Sequence, residues 1–305
     1  MRIDCSEIKT FKECKRKHFY SSRNRCHIVP KKPADNLVFG TTWHNCLHEL
    51  YLTARDKGTE ATAAKLDEII TRQPCVQAGI PELTRTLDNM LKGYYEGPFL
   101  EDIAKYKVVD IERGFNITVV EAYTSIEICG SIDMICINES KGTLIGFEHK
   151  SAKNFRPDVY DALDEQPRLY YWALKHIWND SIALQELAPN GVECIVLNQV
   201  KKLVTKFDYK RVICSYSDEE LDAFMSKFIS DALKVDSEFD ATPEPGYMKC
   251  QMCDYAPLCI KYGYAEPKDI NDIIATKDAD GVELFEIRQT DHLDEKNETF
   301  HNQEG

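Results

Sequence analysis

The hydrophobic and polar positions fall into stretches of two periods. Between Ser6 and Tyr20, Ile8, Phe11, Phe19 and Tyr20 are apolar among charges, which predicts a short helix. Gly40-Thr-Thr-Trp-His44 opens a second helix, with Thr41 or Thr42 as its N-cap; Trp43, Leu47, Leu50 and Tyr51 follow at helical spacing. Amphipathic helices at Thr59 to Arg72 and Pro81 to Tyr95 extend this into a helical insert over about residues 41–98. From Val108 to Ile137 the period falls to two, which predicts two or three strands. A helix follows within Asp158 to Trp178; Pro167 suits a first turn, which places its start near Asp164. Val192–Val200 and Val204–Ser215 then read as strands, and Asp218 to Val235 as a helix capped by Ser217.

The stretch Gly130 to Lys150 organises the rest. Two apolar runs flank Asn138-Glu-Ser-Lys-Gly142, a hairpin signal. Each run carries charge where a buried strand should not: Asp133 in the first, Glu148 and Lys150 at the end of the second. Alternation points Glu148 and Lys150 to one face and His149 to the other, and a hairpin can bring Asp133 beside them. Two carboxylates and an ammonium on one face are costly to bury unless paired or bound to a cation. Magnesium and manganese take such oxygen ligands. The alternative is a surface hairpin in which Lys150 simply pairs with a carboxylate.

Composition narrows the options. The 305 residues suffice for one large domain or two small ones, and 43% hydrophobic content is ordinary for a globular chain. No apolar run is long enough for a transmembrane helix, and the start Met-Arg-Ile-Asp-Cys5 lacks a signal-peptide core, so no membrane partner and a cytoplasmic location are expected, or host cytoplasm for a viral protein. There the twelve cysteines are thiols or metal ligands before they are disulfides. The net charge of -13 argues mildly against a nucleic-acid partner, but it is uneven. Residues 1–32 hold ten basic and three acidic side chains, a balance of +7; residues 265–305 hold four basic and twelve acidic, a balance of -8. The tail from Ala265 is expected to be flexible or to dock a protein partner. No P-loop pattern occurs.

Cys250-x-x-Cys253 followed by Cys259 has the spacing of a metal-gripping loop. A fourth ligand must come from afar. Zinc and a [4Fe–4S] cluster each take four thiolates, so spacing leaves both open.

Gly130-x-x-Asp133 followed by Glu148-x-Lys150 resembles the PD-(D/E)XK nuclease superfamily, and more closely its RecB-like branch. Ile132 stands where the superfamily has Pro, a change that branch tolerates. Other segments fit in the branch's order: Gly40-x-x-x-His44, Gln166-x-x-x-Tyr170, and Cys14 near the start with Cys250, Cys253 and Cys259 near the end. The resemblance spans about Ser6 to Tyr262 and is similar to CRISPR-associated RecB-like exonucleases. It implies Asp133, Glu148 and Lys150 as catalytic residues. It also implies His44, Asp133 and Glu148 as ligands of Mg2+ or Mn2+, and Gln166 and Tyr170 as DNA-positioning residues. It assigns the four cysteines to a [4Fe–4S] cluster, with Zn2+ as the alternative.

The implied fold is α/β: a restriction-endonuclease-like three-layer core with a mixed central sheet, a helical insert and a cysteine-ligated cluster. It would occupy residues 1–264, with a flexible acidic tail over 265–305. The implied activity is metal-dependent hydrolysis of DNA, exonucleolytic on single strands, in recombination, repair, CRISPR adaptation or viral genome processing. Two other classes compete: a non-catalytic DNA-binding or assembly protein on a nuclease fold, and a zinc-binding adaptor.

Overall fold

The computed structural model describes residues 1–22, 24–32, 35–77, 80–121, 123–238, 241–265 and 270–288. Its strands among these residues are β1 (Arg2–Ile3), β2 (Ile28–Pro30), β3 (Lys107–Glu121), β4 (Thr124–Asn138), β5 (Thr143–Ala152), β6 (Val192–Lys201), β7 (Tyr209–Cys214) and β8 (Phe285–Ile287). The chain forms two compact units. One comprises Met1–Ala34, Asn116–Cys129 and Lys227–Gly305; the other comprises Asp35–Phe115 and Gly130–Ser226. The sequence reading assigned residues 1–264 to one domain, whereas here they are shared between the two units.

In the second unit β4, β5, β6 and β7 lie side by side, and β3 pairs with β4. The predicted hairpin is present, with β4 and β5 antiparallel from Met134–Phe147 to Asn138–Thr143. β5 and β6 are parallel, and β6 and β7 antiparallel, so the sheet is mixed. A parallel pair needs a crossover, and the helices Asp158–Leu163 and Glu165–Asn179 lie within it.

Alternation along β5 sorts the layers. Ile145 and Phe147 join one buried cluster with Trp43, Leu47, Leu50 and Tyr51 of the helix Asp35–Lys57. Gly146, pointing the other way, is covered by Leu174 of the helix Glu165–Asn179 and by Ile195. Helices therefore cover both faces, the three-layer α/β arrangement expected from the sequence. The insert is longer than expected: its first helix starts at Asp35, so Thr41 and Thr42 are interior residues and neither is the cap. The apolar Leu37, Val38 and Phe39 extend the helical period upstream, and Phe39 joins the core. The break before Glu165 is where Pro167 places it, with Asp164 accepting the backbone N–H of Gln166 as N-cap.

In the first unit the predicted Ser6–Tyr20 helix is two helices, Cys5–Glu13 and Lys15–Ser21, broken at Cys14. β1 runs parallel to the first half of β4, pairing Ile3 with Ile128. Tyr20, Ile28, Tyr255, Leu258, Ile273 and Phe285 form one buried cluster of this unit. Tyr255 stacks on Tyr20 at 5.7 Å and on Phe285 at 5.8 Å between ring centroids.

The expectation of a flexible tail from residue 265 fails for residues 270–288. Ile270–Ile274 is helical, and β8 pairs antiparallel with β2. Acidic composition misled there because Ile273 and Phe285, each 1% exposed, supply the buried contacts. Residues 289–305 lie outside the described residues. No described helix is long and apolar enough to cross a membrane.

Gly130 opens the Gly-x-x-Asp segment, and its bare backbone is covered by rings. A methyl there would meet Phe115 at 2.6 Å and Tyr170 at 3.3 Å. Gly130→Ala is expected to lower unfolding free energy by about 1–3 kcal/mol, the usual cost of overpacking, as measured by urea denaturation.

Candidate active site

The site lies within the second unit, where β4 and β5 meet the helix Glu165–Asn179. Regular β4–β5 pairing is recorded from Met134 onward. At Asp133 the side chain takes over: its Oδ2 accepts the backbone N–H of His149 at 2.6 Å. His44, on the insert's first helix, places Nδ1 3.4 Å from the same oxygen. Burial favours a neutral Asp133, but the His44 and His149 contacts prevail and hold its carboxyl below the ordinary range. Burial likewise opposes charge on His44, yet the Asp133 carboxylate raises its pKa.

Glu148 is 2% exposed. Burial, reinforced by the negative charge of Asp133, pushes its carboxyl up to about 7 against the pull of Lys150. Its Oε1 accepts from Gln166 Nε2 at 3.0 Å and pairs with the Lys150 ammonium. Its Oε2 is buried with no protein partner. Gln166 also accepts from Lys150 Nζ at 2.9 Å and donates to the Tyr170 hydroxyl at 2.9 Å. Spacing of four puts Gln166 and Tyr170 on one helix face, so one amide joins the Glu-x-Lys strand to the Gln-x-x-x-Tyr helix.

The donors fit a hard divalent cation. Ligand atoms of His44, Glu112 and Asp133 lie within 4.8 Å of one another, and oxygen donors of this kind suit Mg2+ or Mn2+, with the imidazole favouring Mn2+. The orphaned Glu148 Oε2 is a further acceptor that burial leaves costly unless something binds it. The sequence reading brought His44, Asp133, Glu148, Lys150, Gln166 and Tyr170 to attention, and all six lie in this unit. It missed Glu112, whose place depends on a backbone φ of 56° that no pattern of residue types encodes.

It also missed the polar network behind the strand. His149 Nδ1 and Asn198 Nδ2 are 3.0 Å apart, and Asn198 Nδ2 donates to the Tyr94 hydroxyl at 3.0 Å. Arg211 donates to Asn198 Oδ1 at 3.0 Å and grips Asp102 with two bonds at 2.8 and 2.6 Å. Tyr51 donates to Asp102 at 2.6 Å. Burial drives the His149 pKa down to about 3, so its imidazole is neutral. Arg211 is committed to Asp102, Lys210 to Asp161 at 2.8 Å, and Lys201 to Asp208 at 2.8 Å.

A second cluster of ligand residues lies in the first unit. Cys14, Cys250, Cys253 and Cys259 all line one cleft of about 580 Å³, together with Lys17, Lys249 and Tyr255. The helix break at Cys14 leaves its backbone extended, and its side chain makes no capping bond. Burial raises the thiol pKa of Cys259; Arg16 opposes this, while Cys253, Cys14 and Cys250 add to it.

The chain belongs to the PD-(D/E)XK nuclease superfamily, whose family profile matches residues 2–260. Members of this class are generally nucleases, so nucleic acid is the substrate the family implies. No curated protein matches the chain. Among solved structures it is similar to SSO0001, at 12% identity over 83% of this chain and 94% of that one, with a TM-score of 0.32. It is also similar to a protein from Eubacterium rectale provisionally described as an exonuclease, at 11% identity over 90% of this chain and 93% of that one, with a TM-score of 0.44.

Removing one member of a buried pair strands the other's charge. Arg211→Met therefore is expected to cost about 3–5 kcal/mol of stability, read as a lowered urea midpoint. An unchanged midpoint would show that Asp102 is satisfied without Arg211.

Proposed function

We propose that the protein is a metal-dependent deoxyribonuclease of the RecB-like branch, acting as an exonuclease on single-stranded DNA. The observation that carries this reading is the Gln166 amide, which bonds Glu148, Lys150 and Tyr170 at once. It ties the Glu-x-Lys strand to the Gln-x-x-x-Tyr helix that follows it in the chain, which supports reading the two motifs as one site. The single-strand and exonuclease preferences rest on the resemblance of the motif order to that branch.

His44, Asp133 and Glu148 are the residues that would hold Mg2+ or Mn2+. Such an ion polarises a scissile phosphate and lowers the pKa of a bound water. Lys150, held by Glu148 and Gln166, presents its ammonium to offset negative charge developing on the phosphoryl oxygens and to orient the water. Gln166 keeps Lys150 and Glu148 in register, and Tyr170 fixes Gln166. His149, neutral and tied to Asn198, holds Asp133 through its backbone N–H.

The test uses end-labelled single-stranded DNA with Mn2+ or Mg2+. Asp133→Ala and Glu148→Ala are each expected to abolish cleavage with DNA binding and fold retained, since each removes a ligand and not a packing group. Lys150→Ala is expected to lose most activity, and His44→Ala to weaken Mn2+-supported cleavage. Wild-type rates in both carboxylate variants would overturn the assignment. Retained binding without any cleavage by the wild type would favour a non-catalytic DNA-binding protein.

In the first unit, Cys14, Cys250, Cys253 and Cys259 would carry a [4Fe–4S] cluster. Their convergence on one roomy cleft supports a shared centre, and soft thiolates suit iron–sulfur or zinc. Protein purified anaerobically is expected to be brown, absorbing broadly near about 400 nm as thiolate-bound clusters do. Cys14→Ala and Cys253→Ala are expected to lose that absorbance equally. Colourless protein with one zinc per chain would replace the cluster by zinc on the same ligands.

A further inference from the structure

We propose that Glu112 is an additional metal ligand of the active site, a carboxylate from β3 that joins His44 and Asp133 on one divalent cation. This rests on the metal-dependent reading above and extends its ligand set by a residue that no motif supplies.

The first observation is distance. One ligand atom from each of His44, Glu112 and Asp133 lies within 4.8 Å of the other two. Ligands on opposite sides of one magnesium ion, each at about 2.1 Å, stand about 4.2 Å apart. Small side-chain movements therefore close all three on a single ion. A second observation is independent of the first. Glu148, 2% exposed, spends Oε1 on Gln166 and Lys150 and leaves Oε2 without a partner. The charges of both Asp133 and His44 act on the same carboxyl.

The backbone explains how an acid from β3 reaches this group. Glu112 has φ 56° inside a fifteen-residue strand. Few residues other than glycine adopt that conformation, and one such residue interrupts strand alternation and re-aims its side chain. Its neighbour Arg113 is bonded to Asp110 at 3.3 Å. Asp133 and Glu112 then place two carboxylates against one imidazole, an arrangement that a divalent cation relieves.

The test measures Mn2+ binding to the full chain by calorimetry and by the paramagnetic resonance of free Mn2+, without DNA. Wild type, Glu112→Gln, Glu112→Gly and Asp133→Asn are compared. Glu112→Gln is expected to weaken Mn2+ binding at least roughly tenfold, since even outer-shell partners act on that scale, with its urea midpoint in chelator unchanged. Glu112→Gly accepts the positive φ without strain, so it is expected to fold at least as well and lose the same affinity. Wild-type affinity in both Glu112 variants, with binding lost in Asp133→Asn, would overturn the proposal and leave the nuclease reading intact. A wild-type protein that binds no Mn2+ would overturn that reading itself.

Discussion

The second unit depends on the removal of two neighbouring carboxylates from water. Asp133 and Glu148 sit on adjacent strands, with side chains 10% and 2% exposed. Burying one anion is costly, and burying two side by side adds their repulsion. The surroundings answer each differently. Asp133 gains a backbone N–H and an imidazole, and stays ionised below the usual range. Glu148 gains Lys150 and Gln166 on one oxygen only, and its carboxyl is pushed up to about 7. The imbalance is what makes a cation chemically welcome there. The site is strained electrostatically in a direction that binding a positive charge relaxes.

Rigidity behind the strand holds that arrangement. His149 faces away from Glu148, and its ring stacks against Tyr51 at 5.9 Å and Phe147 at 6.0 Å. Asn198, Tyr94, Arg211, Asp102 and Tyr51 then form a continuous chain of hydrogen bonds. A connected buried network of this kind fixes geometry because no member can turn without orphaning another. The same residue that donates its N–H to Asp133 is therefore anchored on its far side. Placement of the candidate-site carboxylate and core packing are one problem in this unit.

Much of this was legible in the chain. The hairpin turn, the alternation of Glu148 and Lys150, and the four-residue spacing of Gln166 and Tyr170 are local patterns that geometry converts directly into facing side chains. The mixed sheet between helical layers was implied by the family resemblance that those motifs carry. Other features depend on contacts distant in sequence. Nothing near Asp102 announces that Arg211 will grip it, and Glu112 looks like any polar position in an alternating strand. The start of the insert at Asp35 was missed because Thr41 and Thr42 suit a cap as well as an interior. The folded segment over residues 270–288 was missed because a few apolar anchors, Ile273 and Phe285, outweigh an acidic average.

The first unit meets a different constraint, which is bringing the ends of a long chain together. Cys14 and Cys250 are 236 residues apart (250 − 14), and closing so long a loop is entropically unfavourable. Protein bonds already close it. Arg16, fully buried, donates to the carbonyls of Ala241 and Ala265, the latter at 3.0 Å. Lys249 reaches the Glu13 carbonyl at 2.9 Å, and Lys12 pairs with Asp231 at 2.8 Å. The aromatic stack of Tyr20, Tyr255 and Phe285 packs the same junction. A thiolate-bound centre therefore need not assemble the unit from its ends. Its stabilisation would fall on the short segment that carries Cys250, Cys253 and Cys259, where Cys250 Sγ accepts the Gly246 N–H at 3.3 Å. The two candidate centres differ in chemistry: hard oxygen donors with an imidazole in one unit, soft sulfur donors in the other, and donor sets of these two kinds prefer different metals.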